Sequence, residues 1–203
     1  MKHFLLPLCL ASCLPFFFLS TACTSRGEGM GPGFRQVFYG DSLYQATEAD
    51  TFTFRKVILG QEFDKVKATE GYLPPLHEDE FGLSYEVELD AQSVMLLDYY
   101  SGRNVQAGGG KKLISIVVDL ILQDEVETAR LYNDLESYLS DEYGLPDGPY
   151  GEQMWIGYTT FTNNMEVRLV LNENKRQITL NFVDLQTSTS TNSPLTLPGN
   201  ETP

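Results

Sequence analysis

Residues 77–80 hold the densest group of side chains that could do chemistry. His77, Glu78, Asp79 and Glu80 place one imidazole and three carboxylates in consecutive positions, shortly after a Pro-Pro pair. Calcium takes several carboxylate oxygens, but an EF-hand loop spaces its ligands and carries a turn glycine, and this run has neither feature. We therefore expect a solvated acidic loop and predict no metal and no cofactor. If a cation did bind, these four residues would be its ligands.

The counts of cysteine and histidine exclude much catalytic chemistry. Two of the three cysteines and one of the two histidines lie in the apolar N-terminal segment, which leaves Cys23 and His77 in the rest of the chain. A disulfide, a CxxC redox pair and a multi-histidine zinc site are therefore excluded, and a Ser-His-Asp triad would have to use His77. The stretch around Ser84 lacks the last glycine of a nucleophile elbow. We predict no catalytic residues; the alternative is an envelope hydrolase or sugar-active enzyme that uses carboxylates with His77.

Tyrosine and tryptophan side chains are the other candidate binding groups. Both are favoured at protein interfaces because each combines apolar area with a polar group. They could equally stack on sugars or pack a helix on a sheet, and the sequence leaves these alternatives open. Tyr150 and Trp155 flank Gly151 near a predicted loop, which makes them the best candidates for exposed contacts. The candidate binding residues are Tyr99, Tyr100, Tyr150, Trp155 and Tyr158.

Residues 1–22 have the organisation of a secretory signal peptide. Lys2 precedes an apolar run that is interrupted by prolines and ends in small residues before Cys23. A membrane span needs about 20 continuous apolar residues, and this run is shorter. Its end resembles the lipobox of bacterial lipoproteins in Ala22 and Cys23, although Ser20 stands where the usual leucine lies. The resemblance implies cleavage before Cys23 and several acyl chains on that residue, which would anchor it durably. It also implies a periplasm-facing place in the cell envelope, at the outer membrane because no aspartate follows the cysteine.

The charge of the chain restricts its partners. The formal net charge is −14, and removal of residues 1–22 leaves 13 basic against 28 acidic side chains, a net charge of −15. So acidic a surface repels phosphate backbones and anionic lipid headgroups. We therefore expect no nucleic-acid partner. The expected partners are the membrane, through the lipid anchor, and an envelope protein or polymer.

Composition divides the chain into three parts after the signal. Residues 23–35 are rich in glycine and predict a flexible tether behind the lipidated cysteine. Residues 186–203 consist largely of Ser, Thr, Asn and Pro and predict a disordered tail, because they cannot bury enough apolar surface to offset the cost of ordering. The segment between them, residues 36–185, has the length of a single domain.

Hydrophobic periodicity gives the elements of that domain. Residues 83–90 alternate between apolar and mostly acidic side chains, which predicts a strand with one buried and one wet face. Residues 113–122 are too apolar for a sheet edge and predict a central strand. A long helix over 125–143 has Asp124 as its N-cap and Gly144 at its end. The remaining predictions are a lead-in strand or loop over 37–44, a helix over 61–70, and strands over 51–59, 94–100, 154–161, 166–171 and 177–185.

These elements predict a two-layer α+β fold, an antiparallel sheet with two helices on one face. The order of a helix followed by three strands occurs twice. The two helix ends are also alike, with Glu70-Gly71-Tyr72-Leu73-Pro74 beside Glu142-Tyr143-Gly144-Leu145-Pro146. A tandem repeat and a chance similarity both remain open.

The first helix and its surroundings resemble a known group of envelope proteins. Leu59-Gly60, followed by Phe63, Val66 and Glu70-Gly71 and then by hairpin strands, is similar to the SmpA/OmlA and β-lactamase-inhibitor-protein-like modules. The similarity covers residues 57–71 well and the remainder by element order. It implies a non-catalytic binding or assembly module, often held by a lipid anchor, and it implies no particular site residue.

Overall fold

The computed structural model of the protein describes residues 32–40, 53–103 and 110–188. The predicted signal peptide, Cys23 and most of the predicted tail lie outside these residues. No described helix has both the length and the apolar character needed to cross a membrane. The helices are α1 Pro32–Tyr39, α2 Phe63–Thr69, α3 Glu125–Tyr143 and α4 Leu185–Ser188, and the strands are β1 His77–Glu78, β2 Gly82–Asp90, β3 Ser93–Arg103, β4 Lys111–Ile121, β5 Glu152–Gly157, β6 Met165–Leu171 and β7 Gln177–Asp184.

The seven strands form one open antiparallel sheet in the order β1-β2-β3-β4-β7-β6-β5, which confirms the predicted α+β class. Strand β4 lies at the centre, as its apolar sequence predicted. Strands β2-β3-β4 and β5-β6-β7 form two meanders, and their last strands, β4 and β7, pair with each other. Helix α2 precedes the first meander and α3 precedes the second. A helix followed by a three-stranded meander is therefore present twice. Whether the two halves arose by duplication stays open.

One face of this sheet forms the core. Because side chains alternate along a strand, one row of cross-strand neighbours points to the same side on every long strand. All members of this row are at most 3% exposed, and the row crosses six strands as Leu83, Tyr99, Ile116, Phe182, Val167 and Trp155. Helices α1, α2 and α3 pack on this face, so the sheet carries one helix more than predicted.

Helix α3 begins and packs as its sequence predicts. The Asp124 side chain accepts hydrogen bonds from the backbone N–H groups of Val126 and Glu127, and the buried face of the helix is formed by Thr128, Leu131, Tyr132, Leu135, Tyr138 and Leu139. Polar contacts then fix strand β5 to the helix. The Tyr132 hydroxyl donates to Gln153 Oε1 at 3.1 Å and accepts from the Gly151 N–H at 3.0 Å. Trp155 Nε1 donates to the Gly144 carbonyl at 3.0 Å.

Residues 32–40 form a helix where the sequence had predicted a tether to residue 35 and a strand or loop from 37. Phe34, Val37 and Phe38 are each 1% exposed, and their i, i+3, i+4 spacing places them on one helical face. The Phe38 ring lies 4.5 Å from the Tyr138 ring of α3, centroid to centroid. The prediction was wrong here because the glycines before Phe34 are typical of a tether, whereas the apolar pattern that indicates a helix covers only two turns.

The predicted strand over 51–59 is also wrong for its described residues, which form a tight turn. Phe54 and Val57 exchange backbone hydrogen bonds across it, and Arg55 and Lys56 between them have φ angles of 46° and 66°. Two consecutive positive φ values are the requirement of a type I′ turn, and they are unfavourable for residues with a side chain. Phe54, Val57 and Leu59 are nevertheless fully buried, so apolar residues of this segment enter the core although no strand forms.

Two predicted boundaries differ from the structure at the end of the domain. Strand β5 ends at Gly157 rather than 161, because Thr159 leaves the sheet to donate its hydroxyl to the Leu59 carbonyl at 2.9 Å. The described part of the predicted tail, residues 186–188, continues α4. The backbone N–H of Gln186 bonds the buried carboxylate of Asp184 at 3.0 Å.

A buried ion pair joins the tight turn to the end of α2. Arg55 Nε lies 3.0 Å from Glu70 Oε1, and the two side chains are 3% and 2% exposed. The Tyr99 hydroxyl of β3 donates to the same carboxylate oxygen at 2.7 Å, and the guanidinium also contacts the Tyr72 hydroxyl at 2.8 Å. A Cβ at Gly40 would lie 3.2 Å from the guanidinium, so glycine permits the end of α1 to cover the pair.

The protonation states in this network follow from its geometry. Burial alone would lower the pKa of Arg55, but its hydrogen bond to Glu70 and the negative charge there raise it. Burial, the charge of Glu70 and the hydrogen bond to Glu70 hold the pKa of Tyr99 well above its usual value of 10.0. Arg55 is therefore a cation and Tyr99 a hydrogen-bond donor at neutral pH.

Removal of one partner of this ion pair should be costly. Arg55→Met leaves the Glu70 carboxylate buried without its cation, and we expect the free energy of unfolding to fall by about 3–5 kcal/mol. Arg55→Met combined with Glu70→Gln should lose less than Arg55→Met alone, because no isolated charge remains. Lys65→Ala, which breaks an exposed pair with Glu62, is the control and should cost less than about 1 kcal/mol. Urea denaturation measures all three, and equal losses for the single and double variants would contradict this explanation.

The buried tyrosines should make the domain sensitive to alkali. Burial is the main cause that raises the pKa of Tyr99 and Tyr138 and that raises the pKa of Tyr132 to about 12. Above pH 10 the unfolded chain releases these protons while the folded chain keeps them. The free energy of unfolding should therefore fall as the pH rises from 10 towards 12, by about 1.4 kcal/mol per pH unit for each tyrosine. Tyr99→Phe should remove one such share from the slope in denaturation measured across this range, and an unchanged slope would count against the assignment.

Candidate functional site

The face of the sheet opposite the helices is the candidate interaction surface, and we call it the open face. Helices α1, α2 and α3 all pack on the other side of the sheet. Its residues are those that alternate with the core rows on the six long strands. From β2 to β5 they include Glu86, Glu88, Val94, Leu96, Asp98, Tyr100, Ser115, Val117, Asp119, Ile121, Gln177, Thr179, Asn181, Val183, Glu166, Arg168, Val170 and Ile156.

Four aliphatic side chains lie together at the centre of the open face, on β3 and β4. Val94 is directly opposite Ile121, and Leu96 and Val117 are diagonal neighbours, since Leu96 pairs with Asp119. Directly opposite residues have Cβ atoms about 4.5–5.5 Å apart, and diagonal neighbours are still within side-chain reach. We call Val94, Leu96, Val117 and Ile121 the aliphatic patch. Ile121 is 41% exposed and the other three are partly exposed.

Carboxylates border and interrupt this aliphatic patch. Glu86 pairs with Leu96 and Glu88 with Val94 on the β2 side. Asp119 lies between Val117 and Ile121 on β4, directly opposite Leu96, and Asp98 lies directly opposite Val117. Among the described residues, none of these four acids forms an ion pair with a lysine or an arginine. The β2–β4 half of the open face therefore combines an apolar centre with an uncompensated negative charge.

Asp98 and Asp119 differ in how their carboxylates are held. Asp119 accepts hydrogen bonds from the Thr179 hydroxyl at 2.6 Å and from Gln177 Nε2 at 3.3 Å. Asp98 is half-buried and accepts no hydrogen bond from the described residues. Tyr100 follows it on the same face and is 43% exposed. Burial, together with the charges of Asp98 and Asp119, raises the pKa of the Tyr100 hydroxyl, which places both carboxylates near this ring.

The β5–β7 half of the open face is less acidic in effect. Arg168 Nε lies 2.5 Å from Glu166 Oε1 on the same strand, so these two charges compensate each other. Asn181 accepts a hydrogen bond from the Ser115 hydroxyl at 3.2 Å across the β4–β7 junction. The unpaired acids therefore make the two halves of this surface chemically distinct.

The five predicted aromatic contact residues do not form one surface. Trp155 and Tyr99 are 2% and 0% exposed, so their prediction as binding residues was wrong; strand alternation directs both into the core. Tyr100 lies on the open face, whereas Tyr158 is 79% exposed just after β5. Tyr150 lies on the helix side, where its ring packs on Tyr132 at a centroid distance of 5.0 Å.

Residues 77–80 form the exposed edge strand β1 and the start of the turn that leads into β2. Glu78 pairs with Lys67 at 2.6 Å, and Asp79 accepts hydrogen bonds from the backbone N–H groups of Phe81 and Gly82. The bond from Phe81, followed by that from His77, lowers the pKa of Asp79. Within residues 32–40, 53–103 and 110–188, no group of three or more His, Cys, Asp or Glu is arranged to hold a metal ion.

The residues of the alternative catalytic function lie in and beside the same segment. His77 Nε2 lies 3.3 Å from Asp79 Oδ2, and His77 faces Ser84 across the β1–β2 pair. The Ser84 hydroxyl makes no hydrogen bond to the imidazole, and the His77 side chain is 64% exposed. The adjoining cleft, about 290 Å³, is lined by Lys67 and Lys111 as well as by the acids. This arrangement lacks the nucleophile–base contact that a triad requires.

Comparisons with known proteins add no relative. No protein-family model matches the chain, and no significant match was found among curated proteins or among solved structures.

The aliphatic patch is the feature that the sequence interpretation missed. The prediction of a central strand over residues 113–122 did not distinguish its two faces. Val117 and Ile121 point to the open face, while Ile116, Val118 and Leu120 point to the core. A bulge at Tyr100/Ser101 opposite residues 113–115 also breaks the alternation. The available signal was that strand 83–90, which lies two strands away in the sheet, has acids on the face where 113–122 has aliphatic residues.

Matched substitutions on one strand should distinguish the two faces. Leu96 lies on the open face and Leu97 in the core, where it is 0% exposed. Leu97→Ala should lower the free energy of unfolding by about 2–5 kcal/mol because it leaves a cavity, whereas Leu96→Ala should cost less than about 1 kcal/mol. Urea denaturation of the full chain measures both. A loss at Leu96 as large as that at Leu97 would mean that another part of the chain covers this face.

Proposed function

We propose that this chain is a lipid-anchored protein of the cell envelope that acts as a non-catalytic binding or assembly module, with the open face as its protein-binding surface. The observation that carries the proposal is the aliphatic patch. An antiparallel sheet with one wet face normally alternates apolar residues inward and polar residues outward. Four aliphatic side chains on the outward side of the neighbouring strands β3 and β4, interrupted by Asp119, depart from that rule, and exposed apolar patches are typical of interaction sites.

The dimensions of the open face suit a protein partner. Its six long strands are separated by about 4.8 Å each, so the face is about 24 Å wide, and the rows from Gly82 to Glu88 extend about 20 Å along the strands. The side chains that project from the sheet increase this area further. It is then of the order of the ~800 Å² that each partner contributes to a standard interface.

The proposed anchor limits where the partner is found. Eight residues lie between Cys23 and Pro32, and an extended chain spans at most about 3.3–3.6 Å per residue. The domain would therefore begin within about 30 Å of the membrane surface. A partner of the open face would be a membrane protein, or a protein or polymer held close to the same membrane.

The anchor can be tested by one substitution. Mass spectrometry of the chain purified from its native host should show a mature N-terminus at Cys23 that carries acyl chains. Cys23→Ser should abolish the acylation and move the protein from the membrane fraction to the soluble fraction, while denaturation of the domain stays unchanged. An unprocessed N-terminus, or an unmodified Cys23 in the wild type, would contradict the envelope proposal.

The binding surface can be tested in intact cells with a benzophenone amino acid at single positions. At Val117 the probe lies on the open face, and at Tyr150 it lies on the helix side as a matched control. We expect a discrete cross-linked product at Val117 but not at Tyr150, and Leu96→Lys should remove it without unfolding the domain. Equal products at both positions, or none at Val117, would overturn the assignment of the open face.

The alternative function is an envelope hydrolase or sugar-active enzyme that uses carboxylates with His77. The hydrogen bond between His77 and Asp79, and the position of Ser84 across from them, are the observations in its favour. Turnover of ester or glycoside substrates that disappears in His77→Ala, but not in the surface control Lys175→Ala, would establish it in place of the binding function.

A further inference from the structure

The open face also indicates the chemistry of its partner, and this inference rests on the binding function proposed above. We infer that the partner is a protein surface with cationic side chains around an apolar centre, and that one of its arginines docks between Asp98 and Tyr100. The apolar side chains of the partner would cover the aliphatic patch, and its other cations would meet Glu86 and Glu88.

Charge complementarity is the first argument. The aliphatic patch has two carboxylates on its β2 side and two more among its own residues on β3 and β4. None of the four is paired with a cation of the described residues, whereas Glu166 on the other half is paired with Arg168. A partner that covered the patch would remove water from these acids, and an unpaired carboxylate without water is costly. An acidic or neutral partner would therefore be rejected, and a basic one would be steered to this half of the face.

The position of Asp98 is the second argument. It lies at the centre of the β2–β4 half, opposite Val117 and diagonal to Asp119, so two like charges sit on neighbouring strands. Asp119 is stabilised by Thr179 and Gln177, but Asp98 has no hydrogen bond of this kind. Like charges at such spacing are unfavourable, and a cation from outside would relieve the repulsion. Asp98 is thus the carboxylate that gains most from a partner.

The neighbouring ring favours arginine over lysine. Tyr100 is 43% exposed and follows Asp98 on the same face. A guanidinium can bond a carboxylate through its planar edge while its face lies on an aromatic ring, and an ammonium group cannot do both equally well. Asp98 and Tyr100 together therefore form a site for one arginine at the border of the aliphatic patch.

The test uses the cross-linked product formed from Val117 in intact cells. Asp98→Asn should lower its yield about tenfold, in the range expected for a close charge pair at an interface, and Tyr100→Ala should lower it less. Asp141→Asn on the outer side of α3 removes one exposed acid elsewhere and should leave the yield unchanged. In membranes from the same cells, the yield for the wild type should fall as sodium chloride is raised, and that for Asp98→Asn should fall less steeply.

The stability of the variants keeps this test independent of folding. Because Asp98→Asn removes a like charge from the neighbourhood of Asp119, its melting temperature at low ionic strength should equal or exceed that of the wild type. A product that forms at Val117 but ignores Asp98→Asn and salt would overturn the cationic partner while leaving the binding surface in place. The absence of any product would instead overturn the binding proposal itself.

Discussion

The ion pair between Arg55 and Glu70 is the interaction on which the first half of the domain depends. It joins a tight turn with two positive φ angles, the end of a seven-residue helix and the central part of β3 through Tyr99. None of these pieces is stable alone, since a helix of two turns is marginal in water. A buried pair is weak support for stability compared with an apolar core, but it imposes one geometry because every other arrangement leaves a charge without a partner.

That geometry determines what the open face presents. Tyr99 reaches inward to Glu70, so its strand neighbours Asp98 and Tyr100 must point outward. The register of β3 against β4 then places Leu96 and Val117 beside one another and brings Asp119 next to Asp98. The core and the open face are thus formed by alternate residues of the same strands. A shift of the pairing register by one residue would move the core residues to the open face and the open-face residues to the core.

The sequence predicted the elements of this domain better than it predicted their buried polar contacts. Strand β2 and helix α3 follow from strong periodicity, the central position of β4 follows from its apolar composition, and these predictions were confirmed. Arg55 could not be identified in the same way, because its partner lies fifteen residues away and its positive φ has no glycine to mark it. The prediction of Trp155 and Tyr99 as contacts was wrong for a related reason: residue type indicates what a side chain can bind, and only strand alternation with a known register shows which face it occupies.

The acids near the aliphatic patch also affect whether copies of this chain associate through their open faces. Bare apolar residues on two central strands invite association between copies, yet they are the part of a surface that yields binding energy when covered. Four carboxylates around Leu96 and Val117 make two copies of this face repel one another, since each would meet the same charge. The same carboxylates become favourable only against a surface of opposite charge. Under the proposed binding function, the acids would therefore select a basic partner rather than a second copy of this chain.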